Sequence, residues 1–162
     1  MQVNSNRNSS KTIGTALVLL LIVFFVDRLT KFMVSTLLKD YDFVSINNYF
    51  NLTSVWNTGV GFGLMDSLPP LMLVFVSCFI AIYLLFLFIK KYNDCIVFAL
   101  AISLMIGGAM GNVYDRLHYG AVYDFIDFHV KSYHWPTFNF ADTAVTFGSI
   151  LIVFSGFSKK RI

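Results

Sequence analysis

Four apolar stretches separated by polar segments set the pattern of the chain. They run over residues 12–34, 68–89, 95–116 and 141–157. A helix needs about 20 apolar residues to cross the hydrocarbon core of a bilayer, and only the last stretch is short of that. The pattern predicts four membrane-spanning helices, which places both ends of the chain on the same side. The polar residues 1–12 predict a disordered lead-in, and the absence of a small-x-small cleavage site after the first stretch argues against a cleaved signal peptide.

The two longer polar segments differ from each other. Residues 35–67 contain short alternating runs such as LTSVW at 52–56, followed by glycines at 59, 61 and 63. Alternation with β-branched and aromatic residues predicts a small antiparallel element, which we expect to form an extracytoplasmic β-like cradle between helices 1 and 2. Residues 117–140 are rich in His and aromatic residues and predict an extracytoplasmic loop between helices 3 and 4. The expected fold class is therefore an all-α membrane protein, a four-transmembrane-helix bundle in one domain covering residues 1–162.

The composition supports this interpretation. Of the 162 residues, 57% are hydrophobic and 13% are charged, whereas a soluble domain carries about 25% charged residues. The two cysteines form no spacing motif, and the scattered basic residues do not indicate a nucleic-acid partner.

The basic residues predict the orientation of the chain. Of its 12 Lys and Arg residues, seven lie on the terminal side and five lie on the other. The positive-inside rule then places both termini in the cytoplasm and eight of the nine Asp residues outside.

Candidate chemistry is concentrated in residues 107–142, which hold Asp115, Asp124, Asp127 and Asp142. Carboxylates beside apolar spans are costly to place and usually have a function. Gly107 and Gly111 also form a GxxxG pattern, which allows a neighbouring helix to approach closely.

Asp124 and Asp142 each have a plain structural explanation. Asp142 opens an apolar helix, where Asp is a preferred N-cap, and Asp124 lies in an alternating stretch where it could simply be solvated. A pair of carboxylates has more chemistry than either alone, because the two cannot both ionise cheaply and the pair keeps one proton. The ionised member can then take a proton from water while the protonated member polarises a peptide carbonyl.

Two further groups share helix faces. Asp27 and Lys31 stand four residues apart on the first helix, as either an ion pair that anchors helix depth or a substrate contact. Asn112, Asp115 and Arg116 share a face of the third helix, as either a polar cap with an internal pair between Asp115 and Arg116 or a site that binds a phosphate or orients a carboxylate.

Rival functions have weaker support. His118, His129 and His134 with Asp127 could supply metal ligands, but their spacing matches no zinc pattern, so we expect no metal or cofactor. A small proton-coupled transporter would place charge inside several spans, and spans two to four hold none there. A non-catalytic membrane adaptor is excluded only by the paired motifs.

Five stretches together resemble the bacterial lipoprotein signal peptidase (type II signal peptidase) family. They occur in the family's order, and the four-span outline agrees with it. They are DRLTK at 27–31, NTGVGF at 57–62, GGAMGNVYDR at 107–116, VYDF at 122–125 and FNFAD at 138–142.

The resemblance implies an aspartyl endopeptidase of the bacterial inner membrane that acts without metal. Its substrate would be a diacylglyceryl-modified prolipoprotein, cut just before the lipidated cysteine, and we expect the chain to work as a monomer surrounded by membrane lipid.

The resemblance implies a catalytic pair, Asp124 and Asp142. Trp56 stands where many members have Arg, and Asp127 is a carboxylate that the motif does not require. The site-supporting residues that it implies are Asn57, Gly59, Asn112, Arg116, Asn139, Asp27 and Lys31.

Overall fold

The computed structural model describes residues 2–59, 69–91 and 96–158. Four helices and four strands follow one another along these residues. They are α1 (Gln2–Leu37), β1 (Phe43–Asn47), β2 (Phe50–Asn57), α2 (Pro70–Lys91), α3 (Ile96–Tyr119), β3 (Val122–Val130), β4 (Tyr133–His134) and α4 (Phe140–Ser158).

The helices agree with the apolar pattern, with one correction at the N-terminus. Among the described residues, three helical segments are long and apolar enough to cross a membrane, at 10–37, 70–90 and 96–119, and α4 is shorter. The prediction of a disordered lead-in is wrong, because α1 begins at Gln2. Polar residues at 2–9 carry no breaker that would stop the helix from extending outward from its apolar part.

The outward faces of the helices are apolar. On α2, for example, Phe75 is 68% exposed and Phe79 is 73% exposed. Apolar surface this extensive is not left in contact with water, so the helix is suited to lipid.

Helix α3 is the centre of the bundle, since it contacts α1, α2 and α4. Its glycines explain this closeness. A Cβ atom at Gly107 would lie 2.8 Å from the backbone oxygen of Leu20 on α1, and one at Gly108 would lie 2.5 Å from the backbone oxygen of Ala141 on α4. The predicted close approach at the GxxxG pattern is therefore confirmed, and α3 makes it on two faces.

The sheet is larger than predicted. The antiparallel hairpin of β1 and β2 lies inside the expected segment 35–67, of which residues 60–67 are outside the described part. Segment 117–140, expected as a loop, instead supplies β3 and β4, giving one antiparallel sheet of order β1-β2-β3-β4. The alternating stretch at 122–130 can satisfy its backbone groups only by pairing, and β2 offers a free edge for it.

Gly120 connects α3 to β3. It adopts φ 74°, and its N–H donates to the carbonyl of Arg116 at 3.1 Å, which closes the last turn of α3. A left-handed glycine here allows the chain to turn sharply from the helix into the sheet. As a result, the carboxylates of β3 lie beside the outer end of α3.

Candidate active site

Asp124 is a buried residue of β3, with 2% exposure. The alternative that it is simply solvated is therefore wrong. Its Oδ2 accepts a hydrogen bond from Asn57 Nδ2 at 2.8 Å, and its Oδ1 accepts one from Asn139 Nδ2 at 2.6 Å. Burial and the negative charge of Asp142 raise the pKa of Asp124 to about 6, against the opposing effect of these two hydrogen bonds.

Asp142 lies in the first turn of α4 and is not its N-cap. The helix begins at Phe140, so Asn139 occupies the capping position and its Oδ1 accepts from the N–H of Asp142 at 2.9 Å. In return, the N–H of Asn139 donates to Asp142 Oδ2 at 3.2 Å. This reciprocal pair is a capping box with Asp in place of the usual Glu or Gln. The second oxygen of Asp142 is left for other partners.

Asn139 brings the two carboxylates together. It is fully buried, its side chain donates to Asp124, and its backbone N–H donates to Asp142. The two predicted members of the pair thus share one partner and interact electrostatically.

Asn112 on α3 completes the frame around Asp142. Its Nδ2 donates to Asp142 Oδ1 at 2.8 Å, while its Oδ1 accepts from Lys31 Nζ at 3.0 Å and from Asn139 Nδ2 at 3.2 Å. Because every polar atom of this amide has a partner, its orientation is fixed.

Arg116 and Gly59 lie on the side of Asn57. Arg116 Nη2 donates to the carbonyl of Gly59 at 2.7 Å, and the N–H of Gly59 donates to Asn57 Oδ1 at 2.9 Å. The guanidinium also interacts electrostatically with Asp142 and Asp124. Its buried Nε has no hydrogen-bond partner within the described residues.

Asp27 and Lys31 support the site from α1. Both are buried, at 0% and 2% exposure, and their charged groups lie 3.0 Å apart. Asp27 Oδ1 accepts from the N–H of Ala141 at 3.0 Å, which ties α1 to the start of α4. The predicted ion pair is present, but it is packed between helices instead of lying at an open interface.

Asp115 does not pair with Arg116, contrary to one alternative above. It pairs with Arg28 and, at 2.7 Å, with Lys31. The i, i+1 spacing turns the side chains of Asp115 and Arg116 toward different neighbours, so one meets α1 and the other meets the carboxylate pair.

A second polar cluster was not predicted from the sequence. Asp127, expected in a surface loop, is 4% exposed on β3, and it contacts Asn51 of β2 and His134 of β4. The sequence does not identify Asn51 as a member of this cluster, because its contact with Asp127 depends on which residue of β3 lies opposite it.

The histidines do not converge as a metal centre would require. His118 Nδ1 lies at the carbonyl of Tyr114, whereas the rings of His129 and His134 stack on each other with centroids 4.9 Å apart. Over the ranges that the structure covers, no group of three His, Cys, Asp or Glu side chains is placed to hold a metal ion.

Apolar helices of spanning length around a built polar site define the class of protein, a membrane enzyme. Two solved structures have the same fold, and both are bacterial membrane enzymes determined by the in meso method. The structure at 2.3 Å resolution has a TM-score of 0.81 and 34% identity, covering 92% of this chain and 91% of the other. The structure at 1.9 Å resolution has a TM-score of 0.76 and 35% identity, covering 88% of this chain and 92% of the other.

Sequence comparison gives the family. The model of "Signal peptidase (SPase) II" matches residues 19–158. The lipoprotein signal peptidase of Francisella tularensis subsp. novicida (strain U112) is 40% identical over 89% of this chain and 92% of its own length. That of Thermodesulfovibrio yellowstonii is 34% identical over 85% of this chain and 91% of its own length. The chain therefore belongs to the signal peptidase II family and is a peptidase. These matches confirm the resemblance, and none of them supports a transporter.

Proposed function

We propose that the chain is an intramembrane aspartyl endopeptidase that removes the signal peptide from diacylglyceryl-modified prolipoproteins, cleaving before the lipidated cysteine. The observation that carries the proposal is the shared partner Asn139, which contacts both Asp124 and Asp142. The substrate class is that of the family and of the lipoprotein signal peptidases to which the chain is similar.

The chemistry follows from a pair that holds one proton. The ionised carboxylate removes a proton from water, whose oxygen attacks the scissile carbonyl carbon, and the protonated carboxyl donates to the carbonyl oxygen. When the C–N bond breaks, the carboxyl that gained the water proton gives it to the leaving nitrogen. The pair regains its starting proton from the collapsing tetrahedral intermediate, and no covalent acyl-enzyme forms.

The amides orient the pair and leave substrate binding to other groups. The side-chain N–H groups of the three amides already donate to the carboxylates or to one another, as they do in Asn57, Asn112 and Asn139. Arg116 Nε has no partner among the residues that the structure describes, so it is suited to a carbonyl of the substrate backbone. That backbone must leave its helix to be cut and so needs polar partners.

The chain would carry out this cleavage within a membrane. The four helices span a bacterial inner membrane, both termini are cytoplasmic, and the sheet forms the extracytoplasmic cradle beside the site. A scissile bond at the outer boundary suits a substrate that is itself a membrane span ending in a lipid-bearing residue.

Cleavage of a diacylglyceryl-modified prolipoprotein by the purified chain tests the catalytic pair. Asp124→Asn and Asp142→Asn should each lower kcat by about 10²- to 10⁴-fold, because each removes one half of the acid–base pair. Asp42→Asn is the matched control: Asp42 is exposed before β1, so its cleavage rate should equal that of the wild type. Substantial cleavage by either Asp124→Asn or Asp142→Asn would show that the pair is wrongly assigned.

A further inference from the structure

Asp127 is a buried carboxylate for which the proposed chemistry has no use. Its Oδ2 accepts a hydrogen bond from Asn51 Nδ2 at 3.0 Å, and both of its oxygens lie 2.9 Å from His134 Nδ1. A carboxylate buried to this degree is costly unless it is hydrogen-bonded, and here Asn51 donates to it and a ring nitrogen of His134 lies within hydrogen-bond distance. We call Asn51, Asp127 and His134 the clasp.

The clasp joins three elements, and each of them leads to a polar group of the candidate active site. Asn51 lies on β2, which ends at Asn57. Asp127 lies three residues after Asp124 on β3, and His134 lies on β4, five residues before Asn139. The carboxylate of Asp127 thus connects the three chain segments that lead to Asn57, Asp124 and Asn139. In the site, Asn57 and Asn139 both donate hydrogen bonds to Asp124.

The pairing of β2 with β3 shows why such a tie is needed. The two strands are in register from Phe50 to Leu52, the register then shifts, and pairing resumes at Val55 opposite Asp124. Asn51 lies directly opposite Asp127 on the far side of this irregularity. A slip of one residue would turn side chains to the other face of the sheet, so a buried polar pair beside the bulge fixes which face Asp124 occupies.

The return from β4 to α4 is held at the same place. Phe138 pairs with β3, where its N–H donates to the carbonyl of Ile126 at 3.1 Å and its carbonyl accepts from the N–H of Ile126 at 2.8 Å. The ring of His134 stacks on that of His129, which keeps its Nδ1 toward Asp127. The segment that ends in Asn139 is therefore fastened to β3 by the pairing of β4, by the clasp, by the N–H of Trp135, which donates to the carbonyl of Phe128 at 2.8 Å, and by Phe138.

We infer that Asp127 is a positioning residue of the peptidase, which acts through the clasp to hold Asp124 and Asn139 in their reactive arrangement. This inference rests on the proposed function. Small displacements of reacting groups are costly, since an error of about 1 Å can lower a rate about 10²-fold.

The experiment compares Asp127→Ala, Asp127→Asn, Asn51→Ala and His134→Ala in the cleavage assay. Asp127→Ala should lower kcat about 10- to 10²-fold with little change in KM, because the misplaced pair affects the chemical step more than substrate binding. Asp127→Asn should recover part of the rate, since its amide oxygen can still accept from Asn51. The double variant that combines Asp127→Ala with His134→Ala should be no slower than Asp127→Ala, because both substitutions break one unit. His118→Ala is the matched control, an exposed histidine outside the clasp, and should leave kcat unchanged.

Several outcomes would overturn the inference. If Asp127→Asn is as inactive as Asp124→Asn, then Asp127 is a catalytic carboxylate. If the clasp variants lose thermal stability but keep the wild-type kcat, the clasp is structural only. Should Asp127→Ala fail to fold, Asp127→Asn and the half-exposed His134 still decide the question. Cleavage that is absent from the wild type, or that survives in Asp124→Asn, would instead reject the proposed function and the inference with it.

Discussion

Asn139 is the residue on which the candidate active site depends most. It caps α4, donates to Asp124 and to Asp142, and is fully buried. The sequence predicts a cap at this place but assigns it to Asp142, because Asp is a good N-cap and precedes an apolar run. The structure places the cap three residues earlier, at Asn139, which changes Asp142 from a cap into a partner within a capping box and frees one of its oxygens for Asn112.

The raised pKa of Asp124 predicts the pH dependence of cleavage. The pKa of about 6 lies above the usual 3.8, so the pair keeps a proton to a higher pH than an ordinary carboxyl would. As pH rises through about 6 that proton is lost, and kcat/KM should fall because no member of the pair remains to donate to the carbonyl oxygen. A pH–rate profile of the wild type measures this limb.

Asn57→Ala tests whether Asp124 causes the fall in kcat/KM above about pH 6. The hydrogen bond from Asn57 favours the charged form of Asp124 and lowers its pKa, so removing the amide should move the falling limb to higher pH. A limb that stays in place, or moves to lower pH, would show that the titrating group is not Asp124. Asp42→Asn should keep the wild-type profile.

At the scale of elements, α3 does most to assemble the site. The faces that carry Gly107 and Gly108 allow α1 and α4 to approach, and the same helix supplies Asn112 and Arg116 at its outer end. A Cβ at Gly111 would contact the carboxylate of Asp27, so the glycines also make room for the buried ion pair. The glycines of α3 therefore account both for the close packing of the helices and for the geometry of the site.

Gly108→Ala should destabilise the protein and slow cleavage. Its Cβ would lie 2.5 Å from the backbone oxygen of Ala141, which is fully buried and cannot move aside cheaply. Overpacking of this kind costs about 1–3 kcal/mol and would displace the neighbouring Asp142. Thermal unfolding in detergent, followed together with kcat, measures both effects.

Gly14→Ala is the matched control for this substitution. Nothing lies within 4 Å of a Cβ built at Gly14 on α1, so this variant should keep the Tm and kcat of the wild type, or gain slightly in Tm from the helix preference of Ala. Equal stability of the two variants would show that α3 and α4 are not tightly packed at Gly108.

The sheet shows where prediction from pattern stops. Alternation at 52–56 predicts a strand, and β2 is there. The similar alternation at 122–128 lies in segment 117–140, which the sequence predicts as a loop, whereas the structure forms β3 there. Pairing is a property of two segments far apart in the chain, and neither segment alone shows that Asn51 lies opposite Asp127.

At the scale of the whole molecule, the distribution of basic residues predicts the orientation. Single cysteines introduced at Ser10 and at Ser132, with both native cysteines replaced by Ser, test it in spheroplasts. An impermeant maleimide should label Ser132→Cys, which is exposed in the turn before β4, and should label Ser10→Cys only after lysis. The reverse labelling would place the sheet and the candidate active site in the cytoplasm.

The sequence by itself determined the membrane class, the apolar spans, the family and the two carboxylates proposed as catalytic. The first two follow from composition and from the length of apolar runs. The family and the two carboxylates follow from the resemblance of five short motifs, each of which is a local stretch of sequence. Only the tertiary structure decided that Asn139 joins the carboxylates, that Asp115 faces Arg28 and Lys31, and that Asp127 is buried in a clasp. Those contacts link residues up to 87 positions apart, and burial, hydrogen bonding and charge pairing over such separations arise only when the chain has folded.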